Sequence, residues 1–207
     1  MLNGLLMASF LLADSANPIQ SASERYQNIA SYQVMVKSSS AGKTEIMHYY
    51  FMKPGYVRME FVKPFNGAVL IYDPAGRQAR LWPFGYRSFP AFTLSPENRL
   101  IQSSTGHRVD RSDVGALFRN IKAMQEHGKT EIVGIEPVSG KEAMHITIEG
   151  NEGFSVETVH RYQIWLDQAS GFPIKVSSHD AAGQLIEVVE MDELQINPQF
   201  PDDFFSQ

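Results

Sequence analysis

The sequence predicts a mainly β protein of the α+β class, in which about ten antiparallel strands are accompanied by a few helices. Most of the chain consists of short runs rich in Tyr, Phe, Val, Ile and Met, which suit a pleated surface. Turn signals containing Pro, Gly, Asn or Asp separate these runs. Connections this short join antiparallel neighbours, because a parallel pair needs a crossover of about a dozen residues. Helical spacing of apolar residues occurs in only two segments.

Composition limits the classes of function. A chain of 207 residues with 43% apolar and 20% charged residues is globular and of a length suited to one domain. The net charge is −5 and the chain has no lysine- or arginine-rich run, so a nucleic-acid partner is not expected. The absence of cysteine excludes disulfides, thiol catalysis and thiolate metal sites.

The N-terminus resembles an export signal. Residues 2–13 form an apolar run that is too short to span a bilayer as a helix, and the small residues Ala13, Ser15 and Ala16 follow it. Basic residues do not precede the run, and a buried N-terminal helix is the alternative interpretation. We predict a signal peptide over residues 1–16, a single domain over residues 17–207, and a periplasmic location.

The first half of the domain is expected to contain one helix and five strands. Residues 18–31 have apolar side chains at spacings of three and four, and residues 32–37 look like a first strand. Residues 47–84 then form four extended runs separated by three Pro- or Gly-containing turns, which predicts an antiparallel meander. The Pro-rich but apolar segment 83–106 predicts a lid or binding loop.

The second half begins with the stronger of the two helix predictions. Residues 112–127 repeat apolar side chains at helical spacing, with Asp110 or Ser112 as the N-cap and Gly128 as a C-cap glycine. Five further strands and an extended, phenylalanine-containing tail follow. The strands are predicted at 130–138, 141–149, 159–167, 172–180 and 184–196.

The meander is unusual because both of its faces are apolar. In residues 56–62, the even-numbered side chains share one face, which includes Tyr56 and Val62. The odd-numbered side chains share the other face, which includes Met59 and Phe61. Either protein covers both faces, or one face lines a cavity that a ligand fills. Arg58 in the same strand fits two interpretations: a salt bridge with a neighbour such as Glu60, or a buried gate that holds a lid segment.

Catalytic and metal-binding patterns are weak. No two of the six histidines are spaced by three or four residues, so neither a metal site nor a cofactor is predicted. Ser104, His107 and Asp110 lie close together in one loop but lack a nucleophile-elbow pattern. We therefore expect a protein that is not an enzyme.

The meander resembles a known family. Residues 53–60 (KPGYVRME), Pro64, Gly67 and residues 69–74 (VLIYDP) are similar in order and spacing to the core of LolA-type lipoprotein carriers. The related N-terminal domain of RseB-type periplasmic sensors has a similar core. The likeness in motifs covers about 40 residues, and the layout of strands and helix agrees over nearly the whole mature chain. Leu70 and Ile71 stand where the carriers have a tryptophan before the Tyr-Asp-Pro.

The resemblance implies an unclosed antiparallel β-barrel covered by helices and loops. It implies a periplasmic carrier that holds acyl chains of a lipoprotein or another lipid and moves them toward the outer membrane. Arg58 would be the gate for release, and the partners would be an inner-membrane release complex and an outer-membrane receptor. A monomer is expected. The alternative is a non-carrier module of the same fold, used in envelope sensing or in docking to a membrane protein.

The lipid-binding trough is predicted to be lined by strands 47–84, with mobile cover from residues 86–105 and from helix 112–127. The predicted lipid-binding residues are Tyr50, Met52, Tyr56, Arg58, Val62, Leu70, Tyr72, Trp82, Phe84, Leu117, Phe118 and Ile121.

Overall fold

A computed structural model describes residues 17–207. The predicted signal peptide and its alternative, a buried N-terminal helix, lie outside these residues. Two α-helices and eleven strands make up the described chain. The helices are α1 (Pro18–Gln27) and α2 (Val114–Glu126), and short 3-10 turns occur at Arg99–Ile101 and Val109–Arg111. The strands are β1 (Ser31–Ser40), β2 (Lys43–Met52), β3 (Tyr56–Lys63), β4 (Val69–Asp73), β5 (Gln78–Trp82), β6 (Phe92–Leu94), β7 (Gly128–Val138), β8 (Lys141–Gly150), β9 (Arg161–Asp167), β10 (Pro173–His179) and β11 (Leu185–Ile196).

All eleven strands belong to one antiparallel sheet in the order β6-β5-β4-β3-β2-β1-β11-β10-β9-β8-β7. The predicted meander forms β2 to β5, with Tyr50 paired to Arg58 and Arg58 paired to Ile71. Pairing of β1 with β11 joins the two halves of the chain. Strands β6 and β7 are the two edges and do not pair with each other, so the sheet is not closed. The predicted class, a mainly β protein with an unclosed antiparallel sheet and a few helices, is confirmed.

The sheet has an inner face that the helices cover and an outer face on the other side. On β2, β3 and β4 the inner side chains include Tyr49, Met59 and Leu70, and they belong to the main core. The ring of Tyr26 on α1 lies 6.0 Å from the ring of Phe118 on α2, so the two helices contact each other above this core. Neither helix is long and apolar enough to cross a bilayer.

The ends of α2 differ from the sequence prediction. Asp113 is the N-cap, because its side chain accepts a hydrogen bond from the Ala116 N–H. Ser112, one of the two predicted caps, instead donates to the Val109 carbonyl. Gly128 begins β7 rather than capping the helix. A Cβ at this position would overlap the Glu149 carbonyl oxygen, so the close approach of β8 explains the glycine.

The segment between β5 and α2 is more ordered than the predicted loop 83–106. It contains β6 and two 3-10 turns, and Ile101 and Val109 on these turns are buried. Its apolar residues therefore anchor it above the inner face of the sheet.

Candidate functional site: an apolar cavity beneath a roof segment

A cavity of about 430 Å³ separates the inner face of the sheet from residues 100–120, which we call the roof. This volume lies within the roughly 300–1,000 Å³ of small-molecule sites. Most of its lining is apolar and comes from strands on both halves of the sheet. The apolar side chains of the strands that line it are Val34, Val36, Met47, Met59, Phe61, Leu70, Leu81, Val176, Val189 and Met191.

Buried tyrosines position the roof at the start of α2. The Tyr32 hydroxyl accepts a hydrogen bond from the Val114 N–H, and the Tyr49 hydroxyl lies 2.9 Å from the Ser112 hydroxyl. The Tyr26 hydroxyl donates to Asp113. Burial raises the pKa of all three tyrosines, so they remain neutral hydrogen-bonding groups. The first turn of α2 is therefore held against α1 and the sheet.

A polar cluster interrupts the apolar wall on β1 and β11. Glu187 is buried, accepts a 2.5 Å hydrogen bond from the Ser38 hydroxyl, and lies 2.9 Å from Nε2 of His107. Burial alone would raise the pKa of Glu187, but hydrogen bonds from His107 and Ser38 outweigh it and leave the pKa lowered. The hydrogen bond to Glu187 raises the pKa of His107. The pair connects the roof to β11.

The structure distributes the predicted lipid-binding residues over several environments. Leu70 and Leu117 line the cavity. Tyr72, Phe118 and Ile121 are buried in the main core instead. Val62 is 41% exposed and Phe84 is 75% exposed.

The other five predicted residues do not face the cavity, which corrects the face chosen from the sequence. Four of them belong to or pack against a separate cluster on the outer face, and the fifth, Arg58, contacts that cluster through Phe204. Adjacent residues on a strand point to opposite faces, so choosing the wrong parity moves a whole set of side chains away from the cavity. The residues on the outer face are Tyr50, Met52, Tyr56, Arg58 and Trp82.

Several cavity residues were missed by the sequence prediction. Met59 and Phe61 have the parity opposite to Arg58 in the same strand, so the alternation contained the signal and the wrong face was selected. Val189 and Glu187 lie on β11, which is distant from the meander in sequence, and only the β1–β11 pairing brings them to the cavity.

Arg58 is buried, with 8% of the residue exposed. Its Nε lies 2.8 Å and its Nη2 2.6 Å from the Glu60 carboxylate, which is the predicted ion pair. Its Nη1 donates a 2.8 Å hydrogen bond to the Phe204 carbonyl, and the guanidinium lies 4.5 Å from the centroid of the Tyr86 ring. The segment that Arg58 holds is the C-terminal tail, on the face opposite to the roof.

The tail covers the outer face of β2 to β5. The ring of Phe204 contacts Tyr50 at a centroid distance of 5.0 Å, and Phe205 is buried. The Gln207 side chain donates hydrogen bonds to the carbonyls of Ile71 and Gln78. Both faces of the meander are therefore apolar for different reasons: the tail covers one, and the other lines the cavity.

His107 does not form a hydrolase-type catalytic arrangement with Ser104 and Asp110. His107 pairs with Glu187, and Asp110 binds Arg108 at 2.6 Å. Ser104 contributes its backbone N–H to Glu45. Within residues 17–207, no group of three or more His, Asp or Glu side chains is arranged to hold a metal ion.

Solved structures share this fold at low sequence identity. An uncharacterized conserved protein from Thermus thermophilus is 12% identical, with a TM-score of 0.53 over 90% of this chain and 96% of that protein. The Mycobacterium tuberculosis lipoprotein LppX is 10% identical, with a TM-score of 0.53 over 89% of this chain and 95% of LppX. MucB is 15% identical with a TM-score of 0.51, and the match covers 94% of this chain but 63% of MucB. Among curated proteins, none matches the sequence.

The class defined by the fold is that of mainly β proteins with an unclosed antiparallel sheet over an apolar cavity. The model of the MucB/RseB N-terminal domain matches residues 93–207. The chain therefore belongs to the MucB/RseB N-terminal domain family, which is the relative of the LolA-type carriers that the sequence motifs indicated.

Proposed function

We propose that this protein is a periplasmic lipid-binding protein that holds acyl chains of a lipid or lipoprotein in the cavity beneath the roof. The cavity itself carries the proposal, because about 430 Å³ of space lies between apolar side chains of the sheet and of α2. Burying hydrocarbon is favourable by about 0.8 kcal/mol per CH₂ group. Such a cavity binds acyl chains without elaborate polar chemistry, and the proposal includes no catalytic step.

A carrier role toward the outer membrane is the finer part of the proposal. The export signal predicted from the sequence supports a periplasmic location, and membership of an envelope-protein family is consistent with it. An inner-membrane release complex and an outer-membrane receptor would be the partners of such a carrier. Such a carrier would have to bind acyl chains in the cavity and later release the same chains.

The alternative is a non-carrier module for envelope sensing or for docking to a membrane protein. One feature favours it: edge strand β7 exposes Ile132, Val133 and Ile135, each more than half accessible. An exposed apolar edge strand fits addition of a partner strand. Crosslinking would then recover a stable protein partner whether or not lipid is present.

Binding of a fluorescent fatty acid tests the proposed function. Leu117 on α2 lines the cavity, so Leu117→Trp should occupy the space and weaken binding by tenfold or more. Lys122→Trp introduces the same side chain on an exposed position of the same helix and should bind like the unaltered protein. Native mass spectrometry of the protein isolated from cells would show the bound lipid directly. An unaltered protein that takes up no fatty acid would contradict the proposal.

A further inference from the structure

Four large apolar side chains are strongly exposed near the opening of the cavity. Phe65 is 66% exposed, Phe84 75%, Phe89 93% and Leu100 76%. We call these four residues the apolar rim. A soluble protein rarely exposes a group of side chains this large without an interaction that covers them.

The rim residues come from neighbouring segments. Phe65 lies in the turn between β3 and β4, and Phe84 and Phe89 lie in the loop that follows β5. Val69 at the start of β4 pairs with Trp82 at the end of β5, so the turn and the loop leave the same end of the sheet. A Cβ at Gly85 would lie 4.0 Å from the Gly67 carbonyl oxygen, which places the two segments side by side.

The rim is continuous with the cavity. Phe65 from the turn and Leu100 from the roof both line the cavity while remaining largely exposed. They therefore mark its opening, and Pro83 beside Phe84 lines it as well.

Cations accompany the rim in the same segments. Lys63 and Arg99 form no ion pair within residues 17–207, whereas Arg87 meets Asp203 of the tail at 3.5 Å and is not one of these free cations. The nearby carboxylate of Glu97 is already bound to Arg108. The protein as a whole carries a net charge of −5, so this combination of phenylalanines and unpaired cations is a local feature.

We propose that the rim docks on an anionic lipid bilayer, with the phenylalanines inserted at the headgroup level and the cations facing lipid phosphates. Aromatic side chains with nearby Lys and Arg suit the membrane interface, and each cation near an anionic surface strengthens the attachment. The cavity opening would then face the hydrocarbon, and acyl chains would pass between bilayer and cavity without crossing water. This inference goes beyond ligand binding, and its delivery step rests on the proposed function.

A bilayer fits these observations better than a protein partner. The rim side chains project from separate turns with cations close by in sequence. A protein interface would instead be expected to present a packed apolar centre that is depleted of lysine. A fluid interface accommodates such separated side chains individually.

Co-sedimentation with vesicles tests the docking. The purified protein should bind phosphatidylglycerol-containing vesicles more tightly than pure phosphatidylcholine vesicles. Phe84→Ser combined with Phe89→Ser, two rim residues outside the cavity lining, should reduce this binding at least tenfold. Lys63→Glu combined with Arg99→Glu should abolish the preference for the anionic vesicles. Ile132→Ser combined with Ile135→Ser removes two comparably exposed apolar residues from edge strand β7 and should leave vesicle binding unchanged.

A second measurement separates docking from the proposed function. Uptake of a soluble fluorescent fatty acid by the phenylalanine variant should remain within about twofold of the unaltered protein, while transfer from vesicles slows. Failure of the unaltered protein to bind vesicles, or equal binding by the phenylalanine variant, would overturn the inference. A different outcome would be that the unaltered protein forms concentration-dependent dimers that the phenylalanine variant does not form. That result would assign the rim to self-association, and it would also overturn the inference. Vesicle binding without fatty-acid uptake would instead refute the proposed function and leave the docking intact.

Discussion

At the residue scale, Arg58 is the buried cation around which the C-terminal tail is held. Its guanidinium lies 4.5 Å from the centroids of the Tyr86 and Phe204 rings, and its N–H groups contact Glu60 and the Phe204 carbonyl. A planar guanidinium satisfies these partners simultaneously, which a lysine ammonium would not do with the same geometry. The contacts link β3 to a residue that lies 146 positions later in the chain.

Replacement of Arg58 by Leu should destabilise the protein without emptying the cavity. The change removes the hydrogen bond to the Phe204 carbonyl and the ion pair with Glu60, and hydrogen bonds to charged groups contribute about 1.5–3 kcal/mol. We expect a fall of this size in the free energy of unfolding, measured by urea denaturation. Fatty-acid affinity and release should stay within about twofold, because Arg58 lies on the outer face.

Arg80→Leu is the matched control for this substitution. Arg80 pairs with Ile71 in the neighbouring strand, and its buried Nε has no hydrogen-bond partner in the described chain. Its replacement should therefore cost less than the replacement of Arg58. A marked slowing of ligand release in Arg58→Leu would restore the gate role that the family resemblance implied and contradict the placement described above.

At the element scale, the roof is tied to the sheet by a small number of polar contacts. The tyrosine hydroxyls hold the start of α2, and the His107–Glu187 pair holds the segment before it. Apolar burial at Ile101 and Val109 supplements these contacts. The roof covers the cavity, so we expect the strength of these ties to affect how readily a ligand enters.

The His107–Glu187 tie should depend on pH. The raised pKa of His107 means that its contribution is complete below the ordinary histidine value and is lost as the pH rises through the raised value. The lowered pKa of Glu187 means that its contribution is complete above the ordinary carboxyl value and is lost as the pH falls through the lowered value. The roof should therefore be held best between roughly pH 4.5 and 6.5 and loosen as the pH rises through the raised pKa of His107.

Hydrogen exchange of residues 100–110 measures this effect. After correction for the intrinsic pH dependence, protection in the unaltered protein should be lower at a pH above the raised pKa of His107 than at about pH 6. His107→Gln should remove most of the difference, and His48→Gln, a change on β2 away from the roof, should preserve it. Protection that is equal at both pH values in the unaltered protein would show that the pair does not secure the roof.

At the scale of the whole molecule, a filled cavity should stabilise the fold. A ligand that binds only the folded state contributes RT ln(1 + [L]/Kd), or about 2.7 kcal/mol at about 100 times Kd. For a domain of this size the melting temperature should rise by roughly 5–10 °C. Thermal unfolding with and without a long-chain fatty acid measures the rise. Leu117→Trp should show little increase, and an equal increase in this variant would place the ligand outside the cavity.

Local patterns predicted most of the elements correctly. The turns around Gly55, Gly67 and Gly76 defined the meander because Pro and Gly restrict or extend backbone conformation over a few residues. Apolar spacing likewise located α1 and α2 to within a few residues. The cap at Asp113 was missed because several capping residues stand together and only the hydrogen bonds distinguish them.

The site was predicted less well than the fold. Of the predicted lipid-binding residues, Leu70 and Leu117 line the cavity, whereas Tyr50 and Trp82 lie on the outer face. Alternation divides a strand into two sets without saying which set faces the helices, and the meander has apolar residues in both. The polar pair of His107 and Glu187 left no local signal, since 80 residues separate its members.

The sequence by itself determined the strand-rich class, the antiparallel connections, the two helices and the motif that relates the chain to its family. These depend on interactions between residues close together in the chain. Only the tertiary structure decided which face became the cavity, that the tail covers the other face, and that Arg58 serves the tail. Those outcomes depend on β1 pairing with β11 and on the tail returning to β3, and such long-range contacts are set by the packing of the whole molecule.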